Sequence, residues 1–341
     1  MTTERICIVM MSAVGDAVHV LPVINAIKRA RPASHITWVL QPGPATLVRG
    51  HKSVDDIVLF DRTKGVKAFR EVISELRSRR FDVLIDLQVY FKAGIITALS
   101  GAPRRLGFDR ARARDANWLF TTERIAPHPV QHVQDQYFEF LAELGIDPEP
   151  VEWDIGPWEH ERGWQREFKS RFDRPIASIV VGTSKPAKDW LPDRWARVCE
   201  ILSADYGVQP VLVGGTSDRE TASAAEIARL SSAAPHNALG SGLRNLVSIL
   251  DASDLVIAPD TGPLHISVAV GTPVIALMGY TDPRRTGPYR RFHDLIVDAF
   301  HDPGDQGPVT MKTKEDRMSR ITIDDVAARL AVWAERYRGK S

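Results

Sequence analysis

The segment Ser253–Arg285 limits what this chain can fold into more than any other stretch. Its first part, Asp254–Ala258, is a short apolar run rich in branched residues, which is typical of a buried parallel strand. The run ends at Pro259-Asp260-Thr261-Gly262, and Pro263 follows where the first helical position is expected. After that helix, Pro273–Gly279 predicts another strand. The segment therefore predicts one β-turn-α-β unit of an open α/β sheet.

Four residues with binding chemistry lie at the turn of this unit: Asp260, Thr261, Gly262 and His265. In open α/β sheets, ligands bind at the carboxyl ends of the strands, where a helix N-terminus offers N–H groups to an anion. The same residue types are also good turn and cap formers, so a purely structural role is the alternative. The histidine on the first helical turn beside three polar positions favours a binding site.

Charge and cysteine content argue against several classes of protein. The chain has 341 residues, and its 44 Lys and Arg side chains balance 43 Asp and Glu, so we expect no nucleic-acid partner. The two cysteines, Cys7 and Cys199, lie in apolar surroundings, and no CxxC motif occurs. We therefore expect buried thiols, no metal site and no cofactor. Because no signal peptide is apparent and no apolar run reaches the roughly 18 residues of a spanning helix, we expect a cytoplasmic protein.

The first predicted strand and helix bring a single carboxylate to the end of a strand. Arg5–Met11 predicts a buried strand, and Gly15-Asp16 precedes an amphipathic helix. A GxGxxG motif is absent at this turn, which argues against a dinucleotide cofactor. Asp16 is then either a reactive carboxylate at the mouth of the strand or a simple helix cap. His19, three residues later, would share its face of the helix.

The region from Asp61 to Arg114 is locally basic, with 13 Lys and Arg against six Asp and Glu. One interpretation is a solvated surface. The other is a docking site for an anionic acceptor or for an acidic membrane surface. In the second interpretation the acceptor-binding candidates are Lys64, Lys92, Arg105 and Arg112. Aromatic residues do not interleave with the basic ones along the sequence, so base stacking with nucleic acid is poorly supported.

The second half of the chain begins a new sheet after a segment rich in Pro, Trp and charge, 146–174. The strand Ile176–Val181 runs into a loop that contains Thr183, Ser184 and Lys188, which are suitable partners for phosphate oxygens, although the loop does not fit GxxxxGK[ST]. Further strand-end loops follow around Gly214-Gly215 and Gly240-Ser241-Gly242, and residues 323–337 predict a closing helix.

Together these patterns predict two successive α/β domains, 1–155 and 156–320. For residues 321–341 they predict a C-terminal helix, and one option is that this helix packs back on the first domain. A cleft between two such domains suits a two-substrate transfer. No DxD motif occurs. A lysine, hydroxyl groups and a helix N-terminus would then have to stabilise the charge of a leaving group.

Several motifs occur in an order that is quite specific for one family. The first half carries Gly15-Asp16 followed by Ala17–Pro22, and Asp86-Leu87-Gln88 with Lys92. The second half carries Thr183-Ser184, Lys188-Asp189-Trp190, Gly214-Gly215, Asp260–His265 and Tyr280–Pro283. Over nearly the whole chain this pattern resembles glycosyltransferase family 9, the ADP-heptose:lipopolysaccharide heptosyltransferases.

The resemblance implies a GT-B fold, in which two Rossmann-like domains face a central cleft, the acceptor domain first and the nucleotide-sugar domain second. It also implies inverting transfer of a heptose from ADP-heptose to the anionic lipopolysaccharide inner core, with peripheral contact at the inner membrane face as an option. By position, Asp16 matches the general base. The residues matched to donor binding are Thr183, Ser184, Lys188, Asp218, Ser241, Asp260, Thr261, Gly262 and His265.

The chain departs from the family pattern at two places. After Asp86-Leu87-Gln88 the family usually shows a glycine and small or aliphatic residues, whereas this chain has the bulkier Val89-Tyr90-Phe91. The acidic residue of the ribose-contacting loop is either Asp218 or Glu220. The alternatives to heptose transfer are a related GT-B transferase using another nucleotide sugar, and a nucleotide-sugar-binding protein or epimerase. Asp16 argues against binding alone, because binding needs no base opposite the donor.

Overall fold

The computed structural model describes residues 3–339, which form two compact units that divide between Ile155 and Gly156. Each unit is a parallel sheet flanked by helices, and each is described here by itself. No helix within residues 3–339 is long and apolar enough to cross a membrane.

The described part of the first unit contains a six-stranded sheet in the order β3-β2-β1-β4-β5-β6. Its strands are β1 Arg5–Val9, β2 His35–Leu40, β3 Asp56–Leu59, β4 Val83–Asp86, β5 Arg104–Gly107 and β6 Glu123–Arg124, all paired in parallel. Its α-helices are α1 Val14–Ala30, α2 Pro42–Val48, α3 Val66–Arg79, α4 Phe91–Leu99 and α5 Val133–Glu143. The connection between β5 and β6 also contains a 3₁₀ turn, Asn117–Phe120.

The central strands of this sheet are buried on both faces, which is why they are near-continuous apolar runs in the sequence. In β1, the residues from Ile6 to Val9 are fully buried. Because β1 pairs in parallel with β4, with Val9 opposite Asp86, the turn that carries Asp16 and the end of β4 lie on the same edge of the sheet.

The described part of the second unit repeats this architecture, with the strand order β12-β11-β10-β7-β8-β9. Its strands are β7 Ile176–Val180, β8 Gln209–Val213, β9 His236–Asn237, β10 Leu255–Pro259, β11 Val274–Met278 and β12 Ile296–Asp298, again all parallel. Its α-helices are α6 Arg162–Lys169, α7 Pro192–Tyr206, α8 Asp218–Leu230, α9 Leu243–Ala252, α10 Gly262–Val270, α11 Pro283–Thr286 and α12 Ile323–Arg336.

The C-terminal helix α12 belongs to the second unit, whereas the sequence had left open that it packs back on the first. Its apolar face, Val326, Leu330 and Trp333, is fully buried in the hydrophobic core that the second unit builds around its sheet. The Trp333 indole also donates a hydrogen bond to the backbone oxygen of Asp254, beside the start of β10. Apolar burial on this scale fixes the helix to that core.

Candidate active site

The second unit gathers its polar residues where β7, β10 and β11 end. These three strands are neighbours and run in parallel, so the loops that follow them lie side by side at one edge of the sheet. A short 3₁₀ turn, Pro186–Lys188, carries Lys188 across from the loop after β7 to the end of β10. The sequence motifs around Lys188 and Asp260, 72 residues apart, therefore form one cluster.

Asp260 is the centre of this cluster. Its carboxylate accepts a hydrogen bond from Lys188 Nζ at 2.8 Å and another from the hydroxyl of Thr281, and His265 Nε2 lies 3.5 Å away. The Lys188 and Asp260 side chains are only 15% and 9% exposed. Burial alone would raise the pKa of Asp260, but the hydrogen bond from His265 and the charge of Lys188 outweigh it and hold this pKa well below its usual range. Asp260 is therefore a fixed anion, and it orients Lys188.

The loop after β7 is held in one conformation by its own side chains. The Thr183 hydroxyl donates to Asp189, with the Oγ1 and Oδ1 atoms 2.7 Å apart, and Arg219 Nε lies 2.7 Å from the other Asp189 oxygen. Arg219 also donates to the backbone oxygen of Thr183. The predicted phosphate-binding residues thus differ in accessibility: Thr183 is buried, Lys188 is mostly buried, and Ser184 is exposed.

Helix α10 begins directly beside Asp260. Thr261 is its N-cap and Gly262 its first residue, so Pro263 occupies the second helical position rather than the first as expected. The Thr261 side chain does not cap the helix and instead donates to the Pro259 oxygen at 3.2 Å. Pro263 has no N–H and the Leu264 N–H donates to the Thr261 oxygen at 3.2 Å, so the Gly262 N–H is the donor that this helix end offers to an anion.

The two acidic candidates for the ribose-contacting loop, Asp218 and Glu220, both lie at the start of α8 but differ in their surroundings. Asp218 is exposed, whereas Glu220 accepts hydrogen bonds from the backbone N–H groups of Gly215 and Ser217, at 2.7 and 3.2 Å. A Cβ atom on Gly182 would lie 2.1 Å from Glu220 Cγ, so glycine is needed for the carboxylate to pack against the end of β7. The predicted donor-binding Ser241 is half-buried just before α9, where its backbone oxygen accepts from Asn245.

In the first unit, Asp16 lies in the first turn of α1 and is half-buried. The N–H of Ala13 donates to Asp16 Oδ2 at 2.8 Å, so the carboxylate does cap its helix. The Tyr137 hydroxyl, on α5, donates to the other oxygen at 3.4 Å. The capping contact therefore uses Oδ2 of Asp16, and the contact with the buried Tyr137 side chain uses Oδ1.

His19, which was also predicted as an acceptor-binding residue, is buried between α1 and α5. Its ring is buried, and its Nδ1 atom lies 3.1 Å from Gln134 Oε1 on α5. Gln134 in turn donates to the backbone oxygen of His19, at 2.8 Å. His19 and Asp16 thus share the face of α1 that contacts α5, as expected from their spacing, and at His19 this face is buried.

The four basic candidates for acceptor binding separate into two pairs. Arg112 is buried and pairs with both Asp109 and Glu139, and Arg105 donates to the backbone oxygens of Phe120 and Ala102. The Arg112 guanidinium group is therefore held within the fold, whereas Arg105 is half-buried and bonds to the backbone through Nε and Nη1. Lys64 and Lys92 are exposed, and Lys64 lies 3.1 Å from Glu71.

Two residues that were not among the predicted donor-binding residues, Thr281 and Lys185, also belong to the cluster around Asp260. Thr281 follows β11 and donates to Asp260, and Lys185 Nζ lies 3.1 Å from the Tyr280 hydroxyl. The motif Tyr280–Pro283 was recognised in the sequence. Its position directly after a predicted strand was the signal that could have identified Thr281 as part of the site. Within residues 3–339, no three His, Cys, Asp or Glu side chains are close enough together to hold a metal ion.

Comparison with known proteins identifies the class to which this architecture belongs. The family model for "Glycosyltransferase family 9 (heptosyltransferase)" matches residues 69–302, more than half of the chain. The chain therefore belongs to glycosyltransferase family 9, and it is a glycosyltransferase. The family and the α/β, GT-B fold predicted from the sequence are confirmed.

Individual relatives agree with this assignment over nearly their full lengths. The lipopolysaccharide core heptosyltransferase OpsX of Haemophilus influenzae is 29% identical over 338 residues, which cover 96% of each protein. A family 9 glycosyltransferase from Veillonella parvula has a similar structure, with a TM-score of 0.82, 22% identity and 97% and 98% coverage. Escherichia coli heptosyltransferase WaaC, solved with ADP, has a TM-score of 0.74, 23% identity and 98% and 99% coverage.

Proposed function

We propose that this enzyme transfers a heptose, with inversion, from ADP-heptose to the anionic core of lipopolysaccharide. Membership of the heptosyltransferase family supports the reaction class, and the similarity to OpsX, named as a lipopolysaccharide core heptosyltransferase, supports the acceptor class. We further propose that the enzyme works in the cytoplasm, in peripheral contact with the inner membrane. The observation that carries the donor assignment is the Lys188–Asp260 pair beside the N-terminus of α10.

In this proposal the second unit binds the donor. The diphosphate lies at the N-terminus of α10, where Lys188 and the Gly262 N–H stabilise its charge. Asp260 directs Lys188 to this position, and in this proposal the loop after β8, which carries Asp218 and Glu220, contacts the nucleoside. When the sugar–phosphate bond breaks, the same cations stabilise the charge that develops on the departing ADP.

Asp16 is the proposed general base. An acceptor hydroxyl is a poor nucleophile near neutral pH, so a carboxylate within hydrogen-bond distance is needed to take its proton as the bond to the sugar forms. The Ala13 N–H donates to Oδ2 of Asp16 and the Tyr137 hydroxyl donates to Oδ1, and in this proposal the two contacts orient the carboxylate toward the acceptor hydroxyl.

Calorimetry with ADP, UDP and GDP tests the donor assignment. We expect ADP to bind most tightly, and ADP-heptose to be consumed only when a lipopolysaccharide core acceptor is added. Tighter binding of UDP or of UDP-sugars would contradict the donor but not the fold. Conversion of the nucleotide sugar without any acceptor would instead indicate epimerase chemistry.

The variant Asp16→Asn separates catalysis from capping. Asparagine can still accept from the Ala13 N–H, so the fold and ADP affinity should be retained while turnover falls about 10²–10⁴-fold, the usual contribution of a positioned base. Asp218→Asn, an exposed carboxylate at the start of α8, is a matched control for the loss of one charge. Near-normal turnover in a stable Asp16→Asn protein would leave Asp16 as a helix cap only.

The exposed lysines Lys64 and Lys92 are proposed to attract the anionic acceptor. Exposed charges are screened over about 8–10 Å at ordinary ionic strength, so acceptor affinity should fall with added salt more steeply than donor affinity. The double variant Lys64→Gln/Lys92→Gln should reduce that salt dependence. Equal salt sensitivity for the two substrates would contradict this role.

A further inference from the structure

The first unit carries a surface on which large apolar and basic side chains alternate, here called the aromatic–basic patch. Its apolar members are Leu119, Tyr90 and Phe91, which are 60%, 49% and 47% exposed. Its basic members are Lys92, Arg110, Arg114 and Arg124, all exposed. Tyr90 and Phe91 belong to the segment Val89-Tyr90-Phe91, where the chain is bulkier than its family pattern.

The fold holds these apolar side chains outward rather than leaving them on a loose loop. Asn117 Nδ2 donates to the Tyr90 oxygen at 3.0 Å, which connects the loop after β4 to the 3₁₀ turn between β5 and β6. The rings of Phe91 and Phe120 meet edge to face, with centroids 5.3 Å apart. A Cβ atom on Gly94 would lie 2.3 Å from the Phe120 ring, so α4 and the turn pack closely. The exposure of Tyr90, Phe91 and Leu119 is therefore a property of a packed structure.

The basic residues of the patch are not neutralised by the protein. Within residues 3–339, none of Lys92, Arg110, Arg114 and Arg124 forms an ion pair with a carboxylate. The guanidinium groups of Arg110 and Arg124 instead lie 4.8 and 5.4 Å from the centroid of the Trp118 ring. Although aromatic and basic residues do not interleave along the sequence, the fold brings them together here.

We propose that the aromatic–basic patch docks on an anionic phospholipid surface. Aromatic side chains favour the membrane–water interface, and each Lys or Arg near an anionic leaflet strengthens binding. A second copy of the chain fits the patch poorly, because two such surfaces would bring eight cations together. This inference rests on the proposed function, since an acceptor anchored in the inner membrane gives the enzyme a reason to bind there.

Sedimentation with phosphatidylcholine vesicles, with and without phosphatidylglycerol, tests the docking. We expect the parent to bind the vesicles that contain phosphatidylglycerol and to bind pure phosphatidylcholine far less. Arg110→Gln/Arg124→Gln should weaken the partition about 25-fold, because each basic side chain contributes a factor of about five. Tyr90→Ser/Leu119→Ser should weaken it about fivefold or more, since less apolar area enters the interface.

Matched variants on other surfaces control for charge and hydrophobicity. Arg49→Gln/Arg166→Gln removes two exposed arginines, and Leu191→Ser/Leu230→Ser removes two exposed leucines that are 43% and 39% exposed. The controls should bind vesicles as the parent does, and melting temperatures should show that every variant is folded. Patch variants that bind like the controls would overturn the proposal. A parent dimer that dissociates in Tyr90→Ser/Leu119→Ser would overturn it in favour of self-association.

Transfer to a delipidated, water-soluble core acceptor separates this inference from the proposed function. Patch variants should keep the parent rate with the soluble acceptor and lose rate only when the acceptor is embedded in anionic vesicles. A parent that binds vesicles but transfers no heptose would refute the proposed function and leave the docking intact. Patch variants that lose the soluble reaction equally would show that the patch binds the acceptor itself, and would overturn the lipid assignment.

Discussion

Removal of Lys188 should destabilise the protein whether or not the donor is present. In Lys188→Ala the Asp260 carboxylate stays buried after losing the cation that lies 2.8 Å away. Breaking a buried ion pair from one side costs about 3–5 kcal/mol. Because the Thr281 hydroxyl still donates to Asp260 and His265 remains close, we expect the lower end, about 3 kcal/mol. For a unit of this size that corresponds to a fall in melting temperature of about 6–12 °C.

Urea denaturation of a double-mutant cycle measures this coupling directly. The four proteins are the parent, Lys188→Ala, Asp260→Asn and the double variant. We expect the double variant to be more stable than the sum of the single effects implies, by about 2–3 kcal/mol, since no buried charge is then left without its partner. Lys185→Ala is the matched control, because it removes the same charge from the same loop, but the Nζ atom of Lys185 contacts Tyr280 and not a buried carboxylate. It should change the free energy of unfolding by about 0.5 kcal/mol or less.

The contribution of Asp260 to the free energy of unfolding should change with pH in a defined direction. The pKa of Asp260 is lower in the folded state than its unfolded value of about 4, so its contribution to stability is present above that value and is lost as the pH falls below it. The difference between the parent and Lys188→Ala should therefore be full at pH 7 and shrink in acid. An additive cycle, or a Lys188→Ala protein as stable as Lys185→Ala, would refute this account of the cluster.

Ligand-induced stabilisation separates the structural role of Lys188 from its proposed role with phosphate. ADP that binds only the folded state raises the melting temperature, by an amount that grows with the logarithm of its concentration divided by Kd. If Lys188 also contacts the diphosphate, Lys188→Ala should lose about 1.5–3 kcal/mol of ADP affinity in addition to its stability. An unchanged ADP shift in a destabilised variant would make Lys188 a partner of Asp260 alone.

Three further predictions follow from buried groups. Burial raises the pKa of Asp86 to about 7 despite hydrogen bonds from Asn117 and its other neighbours. Ionisation of this buried group should therefore reduce the free energy of unfolding by about 4 kcal/mol as the pH rises from 4 to 7. In urea denaturation, the free energy of unfolding of Asp86→Asn should depend less on pH than that of the parent. Arg112→Gln should cost about 3–5 kcal/mol in the same assay, against less than about 1 kcal/mol for Lys64→Gln; equal losses would contradict the buried pairing. Gly182→Ala should lose about 1–3 kcal/mol, because its Cβ would overlap Glu220; an unperturbed variant would contradict that close approach.

The turns that carry the candidate site residues could be located from the sequence, because the residues next to each turn determine where the strand before it ends. Near-continuous apolar runs ended by Gly, Pro and Asp mark buried parallel strands, and this pattern placed Asp16 and Asp260 at strand ends. The order of such motifs along the chain also indicated the family. Both results need only neighbouring residues and their spacing.

Whether each candidate side chain is buried, paired or exposed depends on partners that are distant in the sequence. Arg112 appeared to be part of a basic surface until the fold brought Glu139, 27 residues away, against it. His19 is covered by Gln134, which is 115 residues away. Local charge counts cannot find such pairs, because burial and ion pairing are set by which helices pack together.

Packing between distant segments also explains the other points at which the structure decided what the sequence had left open. Asp218 and Glu220 are both carboxylates at the start of α8, and the structure shows that Glu220 packs against Gly182 and bonds to Gly215 whereas Asp218 is exposed. The apolar face of α12 was evident in the sequence, but its packing partner was not. Sequence alone thus determined where the strands end and which residue types meet there, whereas tertiary packing decided which of those groups are buried, paired or exposed.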